Sequence, residues 1–261
     1  MAPRPAPHAR PRRTFSQRSL HGRIAHAIGR RIVQGELRPD TPLPSEAVWS
    51  VQLGVSRTAL REAIKVLAAK GLIASQPKTG TRVRPREEWN FLDPDVLVWR
   101  FSTGLIETHI RDVFQLRRVI EPAAAALAAE RADDAGVRRM EHAYRGMDAA
   151  GDDGEKFEEP DRRFHQSILR LTGNEMIGSL GMLIETALLM SFRLSNDNPR
   201  GQRHSLPLHR DVLTAIRNRQ PQRARRAMER LLAQSERDVR QAVAARRRRG
   251  AEPLAMADAA E

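Results

Sequence analysis

The sequence predicts a mainly α-helical fold in two parts: an N-terminal winged helix-turn-helix and a C-terminal antiparallel all-helical bundle. Three observations carry this reading. Residues 43–83 hold two short helical patterns around a glycine and then a hairpin pattern, residues 105–245 keep helical spacing throughout, and the positive charge is crowded into the first third of the chain. Taken in order, residues 1–15 are rich in proline and arginine and predict a disordered basic tail. Residues 16–85 form the first domain. Within it Ser45 can cap a helix running to about Leu53, Gly54 supplies the turn, and Ser56 caps a second helix. The apolar residues of that second helix, Leu60, Ala63, Ile64, Leu67 and Ala68, fall at i, i+3, i+4, i+7 and i+8. Its other face is polar, with Arg57, Thr58 and Arg61 in the first turns, where a recognition helix meets base edges and phosphates in a major groove. Gly71 ends the helix, and Leu72 to Val83 reads as a hairpin whose tip, Pro77-Lys78-Thr79-Gly80, offers a cation and a flexible glycine to the backbone or minor groove.

Two amphipathic helices and a turn also occur in proteins that never meet nucleic acid, and charge separates the two readings. Residues 1–85 contain 16 Lys plus Arg against 4 Asp plus Glu, whereas residues 86–261 contain 29 against 28. Nearly all of the net +13 therefore lies with the reading head, where it attracts a phosphate polyanion. A chain of 261 residues is long enough for two domains of ordinary size. It has no cysteine, which rules out disulfides and thiolate metal sites and agrees with a reducing cytoplasm. Apolar runs are broken by charge well short of the ~20 residues a membrane helix needs. No apolar region follows the basic N-terminus to make a secretory signal, so the expected location is cytoplasmic, associated with the nucleoid.

Residues 86–104 predict a packed linker. Trp89, Phe91, Leu92, Val96, Leu97, Trp99 and Phe101 are too apolar for a loose tether and are expected to dock the DNA domain against the bundle or a partner subunit. Residues 105–245 then predict helices over 110–132, 134–150, 156–172, 175–194, 208–219 and 221–245. Residues 246–261, opening on an arginine run, predict a second disordered tail.

Asp161 and His165 share one helical face at i, i+4, so an oxygen and an imidazole can meet one divalent cation or simply bond to each other. Arg117 and Glu121 have the same spacing, which suits an internal ion pair or a guanidinium turned toward a carboxylate. Asn174 either caps a helix beginning near Glu175 or faces a ligand.

Several motifs together resemble the GntR type of transcription regulator, in its FadR subfamily with an FCD ligand-binding domain. They are Gly35-Glu36-Leu37-Arg38-Pro39-Asp40, Leu43-Pro44-Ser45-Glu46, the helix motif from Gly54 to Ala63, and Lys78-Thr79-Gly80-Thr81. Asp40 stands where the family has glycine, and Ala47 stands where many members carry a DNA-contacting arginine. The resemblance implies DNA contact by Ser45, Ser56, Arg57, Thr58, Arg61, Lys78 and Gly80. In the bundle it implies an effector contact at Arg117, with Glu121 and Asn174, and a divalent metal, zinc or similar, on Asp161, His165 and His209. A further family histidine is replaced by Leu231, leaving three ligands, with His204 in a predicted loop as a conceivable substitute. The linker motif Trp89-Asn90-Phe91-Leu92-Asp93-Pro94-Asp95-Val96-Leu97 resembles a branch of sugar-acid regulators of the D-galactonate operon type, which also tends to lack the last histidine.

The expected function is a homodimeric, sequence-specific repressor of a double-stranded DNA operator, released by a small carboxylate such as a sugar acid, and not an enzyme. Two other classes compete with it. A metal-dependent hydrolase or lyase could use Asp161, His165 and His209, but the chain lacks an H-E-x-x-H, a G-x-S-x-G or a phosphate-cradling glycine loop. A non-specific nucleoid-type protein explains the basic head and leaves the large, nearly neutral bundle idle.

Overall fold

The computed structural model describes residues 19–76, 80–101, 106–195 and 199–248. Lys78, the predicted N-terminal tail and residues 249–261 lie outside the described residues, whereas residues 246–248, expected to open the second disordered tail, continue the last helix. The chain divides into two compact units, parting between residues 104 and 105.

The N-terminal unit is built from α1 (Leu20–Val33), α2 (Glu46–Gln52), α3 (Arg57–Ala69), the strands β1 (Ile73–Gln76) and β2 (Gly80–Val83), and α4 (Pro94–Phe101). The expected caps are present. Ser45 Oγ accepts from Val48 N at 3.4 Å and Ser56 Oγ from Ala59 N at 3.2 Å, each satisfying an orphan donor at its helix start. Gly54 takes φ +64°, which sets the angle between α2 and α3. Leu60, Ala63, Ile64 and Leu67 are buried as the spacing predicts, but Val66 completes the apolar face and Ala68 is exposed. β1 and β2 pair antiparallel in the register Ile73 to Val83, forming the wing. Asp40 adopts φ +60°, a left-handed backbone conformation that is uncommon for a residue other than glycine.

The segment after the wing is packed, and it packs into this unit. Trp89, Val96 and Trp99 join the core formed by α1, α3 and the strands, while Leu92 is 63% exposed. Trp99 of α4 sits on Gly29 of α1, where an added Cβ would lie 2.3 Å from the indole, and donates its Nε1–H to His26 Nδ1 at 2.8 Å. Lys70, at the end of α3, is buried and donates to both oxygens of Asp93 at 2.9 Å and to Asp95 at 2.7 Å.

The C-terminal unit is all-helical among its described residues. It comprises α5 (Ile106–Arg131), α6 (Asp134–Ala150), α7 (Gly154–Leu171), α8 (Glu175–Ser179), α9 (Gly181–Ser195), α10 (Pro199–Arg217) and α11 (Pro221–Arg248). The run Ala124, Ala125, Ala128 and Ala129 on α5 lets neighbouring helices approach closely, and α5 packs most extensively on α11. Phe157, Phe164, Ile168, Ile184, Leu188, Val212, Ile216 and Met228 fill the centre. Two expectations need correction. The helix predicted over 175–194 breaks at Leu180, and α10 begins at Pro199, nine residues before the predicted start. Proline suits the first turn of a helix, where its missing N–H costs nothing, so Pro199 starts α10. His204 is thereby a helical, exposed residue and not a loop histidine.

Candidate functional site

In the C-terminal unit α5, α7 and α10 bring five polar side chains into the apolar interior. Arg117, Glu121, Asp161, His165 and His209 are each 4% exposed or less. Arg117 Nε donates to Glu121 Oε1 at 2.6 Å, and the other oxygen of Glu121 meets His165 Nδ1 at 2.5 Å. Burial by itself would raise the Glu121 carboxyl, but Arg117 and His165 outweigh it and hold the group down to about 2. The carboxylate thus requires a proton on His165 Nδ1 and leaves Nε2 with its lone pair in the neutral ring. Likewise His209 Nδ1 lies 2.9 Å from the carbonyl oxygen of Ser205, which can only accept. The lone pair of the neutral His209 ring is again on Nε2.

Both Nε2 atoms turn toward Asp161, whose Oδ1 is 3.8 Å from that of His165 and 2.8 Å from that of His209. Burial would raise the Asp161 carboxyl, and His165, His209 and Arg117 overcome it and keep the group below the usual carboxylate range. Despite the short distance, His209 Nε2 has no hydrogen-bond partner. Two imidazole lone pairs and a carboxylate, all within 4.8 Å of one another, are a donor set that suits a divalent cation. Glu121 and the Ser205 carbonyl orient the two rings from behind, as second ligands' partners do at metal sites.

This cluster opens on a cavity of about 560 Å³, counted with its open mouth and lined by residues of α5, α7, α9, α10 and α11. Arg117, Asp161, His165 and His209 reach its wall, together with Phe157, Phe192, Leu188 and Leu231. The Arg117 guanidinium keeps Nη1 buried and without a partner. Leu231 is 2% exposed and closes the wall with hydrocarbon. His204 is not part of the ligand cluster.

Two of the predicted effector residues are placed elsewhere. Glu121 does not line the cavity, because both of its oxygens are taken by Arg117 and His165. Asn174 is exposed and spends its Oδ1 on Met176 N and Ile177 N, capping α8. The cavity also has lining that the sequence reading missed: Ser191 on α9, Ser205 on α10, and Ser235 and Asp238 on α11. The spacing Leu231, Ser235, Asp238, Val239 marks one face of α11 and was the available signal.

In the N-terminal unit Ser45, Ser56, Arg57, Thr58, Arg61 and Gly80 are exposed. Arg61 donates through Nε at 3.0 Å and Nη2 at 2.8 Å to Glu46 Oε2, a contact the sequence reading did not anticipate. It ties α3 to α2 and leaves the Nη1 end of the fork for another acceptor.

Comparison with known proteins decides the affiliation. The chain is 32% identical over 220 residues to the galactonate operon transcriptional repressor of Escherichia coli strain K12, covering 84% of this chain and 96% of that one. It belongs to the GntR family of bacterial regulatory proteins. Residues 20–83 match the gntR family of bacterial regulatory proteins and residues 112–234 match the FCD domain, so this GntR regulator carries the two parts in the expected order. An HTH-type transcriptional regulator of E. coli, YieP, is 32% identical over 204 residues, covering 77% of this chain and 87% of its own. Among solved structures, the Listeria monocytogenes protein Lar has the same fold, with a TM-score of 0.60 at 17% identity, covering 87% of this chain and 98% of that one. The protein is a transcription regulator, and none of its described helices is long and apolar enough to cross a membrane.

Proposed function

We propose that this regulator is a homodimeric, cytoplasmic repressor that leaves its operator when a small carboxylate, such as a sugar acid, binds the FCD cavity. The observation that carries the proposal is the unpartnered Nη1 of Arg117, fully buried in the wall of a cavity beside Asp161, His165 and His209. An unpaired guanidinium edge in an apolar surround calls for an anion, and a planar carboxylate fits its fork. The name of the galactonate operon repressor supports a sugar acid in particular. Asp161, His165 and His209 would hold a divalent metal, zinc or similar, whose remaining coordination position would supply a second positive contact for the effector's acid group. Asp161, His165 and His209 would supply three protein ligands, with Leu231 beside them in the wall, and an effector oxygen would be available as a further donor.

At the other end, Ser45, Ser56, Arg57, Thr58, Arg61 and the wing with Lys78 and Gly80 form the DNA contact surface. Two copies present paired α3 helices to successive major-groove faces. Effector binding favours a bundle arrangement in which the pair no longer matches the operator spacing.

The test is fluorescence anisotropy of a labelled duplex from the regulator's own promoter. D-galactonate and related aldonates, titrated into the complex, should release the duplex, and an Arg117→Met variant should bind the duplex and fail to release it. Release that proceeds equally well in Arg117→Met would overturn the assignment of the acid-binding residue. Binding of random and promoter duplexes with equal affinity would overturn the operator reading.

A further inference from the structure

Beside Leu231, the α11 wall of the cavity carries two polar residues, Ser235 and Asp238. Asp238 is 8% exposed and faces the cavity, yet its sole hydrogen bond among the described residues comes from Gln234 Nε2 to Oδ1 at 2.9 Å. Among the described residues no cation forms an ion pair with it. Burial holds its carboxyl above the usual range, and the Gln234 hydrogen bond, His204 and Arg237 only partly offset this. A buried carboxylate in that condition is costly unless something arrives to bond it. Leu231 and Val239 on the same wall show that hydrocarbon fits there, so packing does not explain the acid. Ser235, one turn away and also in the wall, has a hydroxyl with no hydrogen-bond partner among the described residues. Arg117, Ser235 and Asp238 line the same cavity, so a ligand whose acid group is held at Arg117 meets further polar groups on α11.

We propose that Asp238, assisted by Ser235, is the specificity-determining group of this cavity: it accepts hydrogen bonds from hydroxyls on the carbon chain of an acid whose carboxylate is held at Arg117. The inference rests on the effector reading above and adds the ligand class, polyhydroxylated acids in preference to plain ones of equal length. Hydroxyls fit better than an ammonium group for a reason of donor count. The Ser235 hydroxyl both donates and accepts, a ligand hydroxyl returns both, and an ammonium can only donate. A plain acid leaves Asp238 buried and unbonded, the situation in which polar sites reject an analogue most strongly.

Isothermal titration of the full-length protein tests this with D-gluconate, D-galactonate, hexanoate and 6-aminohexanoate. The better of the two aldonates should bind at least about 30-fold more tightly than hexanoate. Asp238→Leu should bring that ratio to within about threefold, while Asp238→Asn, which still accepts a hydrogen bond, should retain most of it. The inference is overturned if Asp238→Leu keeps the wild-type ratio, or if 6-aminohexanoate is the preferred ligand. Should Asp238→Leu fail to fold, Ser235→Ala must lower the ratio at least about threefold by itself, and an unchanged ratio overturns the inference. Failure of the effector reading looks different: none of the four acids binds the wild type, or Arg117→Met binds them all as well as the wild type does.

Discussion

Each unit of this regulator buries a cluster of charges, and the two clusters differ in whether they are closed. In the N-terminal unit Lys70 uses its three donors on Asp93 and Asp95, two acids that precede or begin α4. That cluster pins the segment after the wing to the end of α3. In the C-terminal unit Arg117, Glu121, His165, Asp161 and His209 form a longer chain of contacts that ends in unmet capacity, at Arg117 Nη1 and His209 Nε2. Both clusters pair a buried cation with carboxylates, and only the second adds two histidines. A closed cluster fixes a structure, whereas an open one beside a cavity is arranged for something that comes from outside.

The largest effect expected from this contrast is on stability. Lys70→Ala leaves two neighbouring carboxylates with side chains only 10% and 16% exposed, so unfolding by urea should show a loss of about 3–5 kcal/mol. No metal or acid should restore it. A loss below about 1 kcal/mol would show that water reaches the two acids and that the cluster is not closed.

The open cluster should respond to a cation. With zinc at about a hundred times its dissociation constant, the wild type should gain about 2.7 kcal/mol against unfolding, and a chelator should remove the gain. His209→Ala should show neither change. If the wild type is also indifferent to zinc and to other divalent ions, the chain of contacts is an internal network and resembles the Lys70 cluster after all.

The surface of α3 sharpens the comparison because its charges are neither closed nor buried. An Arg57→Ala, Arg61→Ala double change should weaken operator binding roughly ten- to a hundred-fold and flatten its salt dependence, with the melting temperature unchanged. Unaltered anisotropy curves would remove both arginines from the interface. Glu46→Gln, which releases Arg61 from its tie to α2, should shift affinity by less than the double change.

How far each region was legible in the sequence follows the same division. Ser45, Ser56 and Gly54 act on backbone within three residues of themselves, so the helix starts and the turn could be placed from the sequence. The i, i+4 pairs Arg117 with Glu121 and Asp161 with His165 were visible for the same reason. What joined them was not. The contact of Glu121 with His165 spans 44 residues, that of Asp161 with His209 depends on α7 meeting α10, and Asp238 enters the cavity through the packing of α11 on α5. Asn174 was read as either a helix cap or a ligand contact, and the cap, a purely local effect, is the one the structure shows. Trp89, Val96 and Trp99 were legible as packed but not as belonging to the N-terminal core, because burial does not name the surface that causes it.

The smallest effect expected is at Asp40. Its φ of +60° lies in the left-handed region, which strains any side chain carrying a Cβ and which glycine enters freely. The backbone there is held in place, since Asp40 N donates to Val83 O at 2.9 Å and Asp40 O accepts from Arg82 Nη1 at 3.0 Å. The Asp40 side chain makes no hydrogen bond or ion pair among the described residues, so replacing it removes no contact. Asp40→Gly should therefore relieve strain in the folded state, partly offset by the greater freedom of glycine in the unfolded chain. The net gain should be about 0.5–1 kcal/mol, read as a rise of a few degrees in the melting temperature of the N-terminal unit. Operator affinity should stay the same, because the turn keeps its shape. A fall in stability would mean that the aspartate carboxylate does work in the turn through solvent, and a change in operator affinity would bring this loop into the DNA interface.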